Sequence, residues 1–98
     1  MAFMLIRHKV KDFKTWKTGY DAHQPKRTEA GLTEKYLLRG ADDANEVVLL
    51  FEAQDVNRAK AFTDSSDLHE KMEEIGVIDK PDIYFLNGNH SHPVIVRV

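Results

Sequence analysis

The chain has 98 residues, 42% apolar and 31% charged, with only five Gly and three Pro, the composition of a single ordinary globular domain and not of a disordered or low-complexity segment. A formal net charge of -2 argues against a nucleic-acid backbone as partner, and the opening apolar run, MAFMLIRHKVKDF, meets charge too early to be a signal peptide or a membrane span. There is no cysteine, which removes disulfide frameworks and thiolate metal sites and fits a cytoplasmic protein.

Ala2 to Val10 (AFMLIRHKV) is short and apolar and reads as the first strand. Alternation puts Phe3, Leu5 and Arg7 on one face and Met4, Ile6, His8 and Val10 on the other, but does not say which face is covered. Asp12 stands at an N-cap position, and a helical stripe follows. Phe13, Trp16, Tyr20, His23, Arg27 and Ala30 recur at alternating steps of three and four, which lines them along one helix face. That stripe starts aromatic and ends in an imidazole and a guanidinium, the pattern of an apolar pocket with a polar end. Pro25 predicts a break near His23 and Gln24, with a short second segment to Ala30. Gly19, at the stripe's edge, leaves room for a neighbour or a ligand, and Gly31 is a C-cap.

Leu32 to Arg39 reads as a second strand, Gly40 to Asn45 as a turn, and Glu46 to Ala53 (EVVLLFEA) as a third strand apolar on both faces. Val47, Leu49 and Phe51 share one of its faces, with Val48 and Leu50 on the other. Asp55 caps the next helix, which restarts at Ser65 to Asp67 with Leu68, Met72 and Ile75 inward and closes at Gly76. Asp82 to Leu86 makes a fourth strand. Residues 88–98 form a C-terminal extension in which Val94 to Val98 predicts an extra strand.

The order is strand, helix, strand, strand, helix, strand, which predicts an α+β ferredoxin-like domain: a four-stranded antiparallel sheet with two helices on one face. Two helices cover one face only, and the first and third strands are apolar on both. A second copy of the sheet packed on the open face completes the burial, so a homodimer is expected. Residues 1–40 carry nine Lys or Arg against four Asp or Glu, while residues 41–98 carry five against twelve. The simplest expectation is a set of weak ion pairs between a basic first helix and an acidic second one.

Two segments, HKVKDFKTWKTGYDAHQPKRTEAGL and FEAQDVNRAKAFTDSSDLHEKMEEIGVIDKP, together resemble the small dimeric α/β-barrel proteins. That superfamily includes cofactor-free antibiotic-biosynthesis monooxygenases, polyketide cyclases, muconolactone isomerases and haem-degrading enzymes. The likeness is greatest to an uncharacterised, cyclase-like bacterial group, through His8, Trp16, His23 and the Phe62 to Ser66 stretch. It implies a dimeric α/β barrel strongly and an activity weakly, since many chemistries share this fold's cleft. No monooxygenase motif matches residue by residue, so no catalytic set is carried over.

His23 and Arg27, four residues apart, are the candidate catalytic pair, a proton acceptor and an anion anchor for one molecule. Their structural alternative is Arg27 paired with an acid and His23 bonded to a backbone carbonyl. His8, Trp16, Tyr20, Phe62 and Met72 are candidate ligand contacts, Trp16 and Tyr20 serving the core at least as much. His90 and His92 make a weak metal pair, and no metal site is expected. Gly-rich phosphate loops, serine-hydrolase elbows and zinc-protease pairs are missing from the sequence. The resulting expectation is a homodimer that binds a small apolar or aromatic molecule, with no cofactor, nucleic acid or membrane, as a monooxygenase or cyclase-like enzyme. The alternatives are a non-catalytic ligand-binding or dimer-scaffold protein, and a haem protein with His8 or His23 as axial ligand.

Overall fold

A computed structural model describes residues 1–88. The C-terminal strand predicted at Val94 to Val98, with His90 and His92, lies outside the described residues. The elements are β1 (Ala2–Lys9), α1 (Phe13–Ala22), α2 (Gln24–Glu29), β2 (Leu32–Arg39), β3 (Glu46–Ala53), α3 (Val56–Thr63), α4 (Ser66–Glu74) and β4 (Asp82–Asn87). The four strands form an antiparallel sheet in the order β2-β3-β1-β4. This is the ferredoxin-like arrangement, with each expected helix divided in two.

Both divisions have local causes. His23 is at once the C-cap of α1 and the N-cap of α2, so Pro25 falls in the first turn of α2, where its missing N–H has no intrahelical partner to lose. The break stands at the imidazole and leaves proline unstrained. Between α3 and α4, Thr63 Oγ1 donates to the Lys60 carbonyl and Ser65 Oγ to that of Phe62, and Ser65 Oγ also accepts from the Leu68 amide. Hydroxyls thus satisfy one helix end and cap the next. Asp12 and Asp55 cap α1 and α3 as read from the sequence.

The helices cover the sheet face carrying Met4, Ile6, His8, Val47, Leu49 and Phe51, all buried. Trp16 and Tyr20 of α1, Ala59 of α3 and Leu68 of α4 close the core from above. The opposite face carries Phe3, Leu5, Val48 and Leu50, half-buried in the single chain. A bulge in β2 interrupts alternation: Glu34 pairs with Phe51, but Tyr36 already pairs with Leu50. The extra residue, Lys35, sends Glu34 to the helix side and Tyr36 to the open side.

The expected ion pairs between basic and acidic helices are not found among the described residues. Helical pairs stay within one helix, Lys17 with Asp21 and Lys71 with Glu74. The longer-range pairs run instead through the sheet and its loops, where Arg7 meets Glu46, Asp79 and Asp82, Lys9 meets Asp43 and Lys35 meets Glu52. Lys17 and Asp21 lie on the outer side of α1, while Lys71 pairs within α4 beside the core, so neither pair joins the two helical segments.

Candidate functional site

A cavity of about 40 Å³ lies between the helices and the covered face of the sheet. His8, Trp16, Tyr20, His23, Arg27, Phe62 and Met72 all line it, so residues picked from three separate parts of the chain meet at one place. Leu68 and Lys71 of α4 and Ile75 at its C-cap join them. Lys71 was legible as a neighbour of the Leu68, Met72 and Ile75 stripe. Glu34 was not, because only the bulge turns it toward Tyr20.

The walls are a ladder of rings. Trp16 stacks on Tyr20 at 4.7 Å between centroids, His8 meets Trp16 edge-on at 5.5 Å, and His23 lies along Phe62 at 6.1 Å. The Arg27 guanidinium sits 3.6 Å over the Tyr20 ring and donates to the Tyr20 carbonyl at 2.7 Å, a cation–π contact with a hydrogen bond added. The Tyr20 hydroxyl donates to Glu34 Oε1 at 2.7 Å. Of the structural alternative, no acidic partner for Arg27 is found among the described residues, its guanidinium bonding a backbone carbonyl instead, and His23 meets the carbonyls at the break through its backbone amide and not its ring.

His8 is the exceptional group. It is 2% exposed, and neither ring nitrogen has a hydrogen-bond partner among the described residues. Burial pushes its pKa down to about 4, with the Arg7 cation adding to the effect and Asp79 opposing it, so the ring is neutral at neutral pH. Burial also lowers His23, helped by Arg27, Lys71 and Lys26. The Tyr20 hydroxyl is pushed up by burial and by its bond to Glu34, and burial lowers Arg27, which stays charged regardless. The cavity therefore offers two neutral imidazoles and two basic side chains among apolar walls, Arg27 and Lys71, of which Lys71 is paired with Glu74. Each neutral ring can donate one hydrogen bond and accept one. Neither a haem nor a single aromatic ring enters about 40 Å³ without displacing lining side chains.

No protein-family model and no curated protein matches the sequence. Solved structures do match in shape. A "putative antibiotic biosynthesis monooxygenase" from Nitrosomonas europaea is 19% identical over 92% of this chain and 100% of its own, with a TM-score of 0.66. SnoaB, a cofactor-independent oxygenase from Streptomyces nogalater, is 12% identical over 95% of this chain and 97% of its own, with a TM-score of 0.73. This chain shares their fold. A third structure of the same description, from Bordetella bronchiseptica, has a TM-score of 0.71 at 15% identity, covering 89% of this chain and 95% of its own. At such identities the likeness concerns the backbone and says nothing of which side chains react. Among the described residues no helix is long and apolar enough to cross a membrane, and no cluster of metal-ligating side chains occurs.

Proposed function

We propose that the protein is a cytoplasmic homodimer that binds a small apolar or aromatic molecule in this cavity and acts on it as an oxygenase or cyclase-like enzyme without metal or flavin. The observation that carries the reading is His8, a fully buried imidazole with both nitrogens unsatisfied, facing an apolar cavity. Such a group costs stability and is retained where a ligand supplies the missing bonds. Sharing a fold with SnoaB, a cofactor-independent oxygenase, supports the reaction class. His23 serves as the proton acceptor and Arg27 as the anion anchor, with Trp16, Tyr20, Phe62 and Met72 shaping the walls.

The cavity as it stands takes a few waters, whereas an apolar cavity that binds benzene measures about 150 Å³. A ring must therefore displace side chains, and the unbranched, half-buried Met72 and the Phe62 ring beside the α3–α4 break are the parts best able to move. The dimer reading rests on the open sheet face, where Tyr36, Leu38, Tyr84 and Leu86 are exposed beside Phe3 and Leu5.

Trp16 is the chain's sole tryptophan and lines the cavity, so its fluorescence reports occupancy directly. Titration with a quinol or a lactone should change it saturably, with oxygen uptake or product formation on addition of air, and His8→Leu should abolish both. Saturable binding without turnover would support the non-catalytic alternative. No saturable change with any aromatic compound would overturn the site.

A further inference from the structure

Arg27 is 8% exposed, yet every ion pair among the described residues uses another cation. Glu34 and Asp21 act on Arg27 only at longer range, and Glu34 is engaged by the Tyr20 hydroxyl. One guanidinium donor reaches the Tyr20 carbonyl, and no other protein partner is found for the rest among the described residues. A buried cation without a contacting counterion is costly, and a guanidinium fork is shaped for a carboxylate.

The position of Arg27 adds to this. With Tyr20 it lines the inner cavity and also an open, polar cleft of about 620 Å³ on the outer side. The pair is therefore the partition between an apolar interior and a wet exterior. A ligand lying across that partition would keep its polar end hydrated in the outer cleft and its apolar end among Trp16, Phe51 and Met72.

We infer that the ligand is an organic anion, an aromatic carboxylate whose charged group is held by Arg27 at the partition and whose ring enters the inner cavity beneath Trp16. The inference rests on the reading that the inner cavity takes a small molecule with Arg27 as its anion anchor, and adds the chemical class and the orientation of that molecule. Lysine in place of Arg27 keeps the charge but loses the fork; methionine loses both while keeping an unbranched stem.

The test uses benzoate and its neutral isostere benzamide, with acetate as the anion without a ring, each titrated against Trp16 fluorescence in the full-length protein. Benzoate should bind at least about tenfold more tightly than benzamide, the effect of one charge-assisted contact, and acetate should not compete at equal concentration. Arg27→Met should bring the benzoate and benzamide affinities together, and Arg27→Lys should keep a reduced preference for benzoate, with circular dichroism showing both variants folded. Equal binding of benzoate and benzamide to the wild type would overturn the inference and leave the cavity reading standing. Binding of neither would overturn both. A benzoate preference that survives unchanged in folded Arg27→Met would place the charge recognition elsewhere and likewise overturn it; if Arg27→Met does not fold, an undiminished preference in Arg27→Lys does the same.

Discussion

His8 occupies a place that Leu would fill more cheaply. Its neighbours on the covered face, Met4 and Ile6, are apolar, and its ring lies against Trp16. His8→Leu should therefore raise stability by about 1 to 3 kcal/mol, the cost of burying an unpaired polar group, measured by urea unfolding at fixed protein concentration. A loss of stability would mean that the imidazole is satisfied and the site assignment is wrong. The same residue sets a pH dependence. Its pKa is about 4 in the folded chain against 6.5 when free, so between these values the unfolded state binds the proton more readily. Stability is full above about pH 6.5, falls as pH drops toward 4 by up to about 3 kcal/mol, and loses nothing further from this group below that. His23, lowered in the same direction, adds to the slope. Asp12 and Asp43, held below their ordinary 3.8 mainly by backbone amides, lose their contribution only at lower pH. His8→Leu should flatten the slope between pH 6.5 and 4, and an unchanged slope would count against a buried neutral His8.

Helix α1 meets the end of α4 at Gly19. A β-carbon there would collide with Cβ and Cγ2 of Ile75, atoms too close to the backbone to swing aside. Gly costs a helix interior about 1 kcal/mol relative to Ala, so propensity alone makes Gly19→Ala stabilising. Overpacking costs typically 1 to 3 kcal/mol, and the substitution should be net destabilising by about 1 kcal/mol in urea unfolding. Adding Ile75→Ala should make the Gly19 change favourable within the double mutant. A stabilising Gly19→Ala in the wild-type background would mean that the two helices do not approach this closely. The missing side chain was legible in the sequence as room for something, and what fills it is Ile75. Sequence pattern marks a vacancy on a helix face, but the occupant arrives from 56 residues along the chain, and local periodicity holds no record of that distance.

The open sheet face extends over all the strands. Tyr36 is 60% and Tyr84 53% exposed, with Leu5 opposite Tyr84 and Leu50 opposite both Leu5 and Tyr36. A contiguous apolar surface of this kind on a small domain calls for a partner. If it is a dimer interface, wild type should scatter as a dimer with roughly 1,600 Å² buried in total. Leu50→Asp or Val48→Asp should dissociate it and lower the melting temperature together, since the face is then wet. These side chains point away from the helices, so the separated subunit should keep its fold by circular dichroism. A monomeric wild type at micromolar concentration would defeat the assembly.

Composition, alternation and capping were enough to determine the elements, their order and the ferredoxin-like fold, because those depend on contacts a few residues apart and on which faces are apolar. Asp12, Asp55, Ser65, Gly31 and Gly76 ended up in the capping and turn roles their chemistry suits, and the stripe from Phe13 to Arg27 named most of one wall of the cavity. Three things were decided only in three dimensions. His8 could have faced either side of its strand, since both of its alternating faces are apolar; the helices, packing on the Met4 and Ile6 side, made it a buried group. Glu34 reached Tyr20 only because one extra residue in β2 reversed the alternation, and the bulge has no signature in LTEKYLLR. That no carboxylate pairs with Arg27 among the described residues depended on where acids of the second half of the chain came to rest, at Arg7, Lys9 and Lys35 on and beside the sheet. Residue identity sets what a side chain can do, but long-range packing alone sets what it is left without.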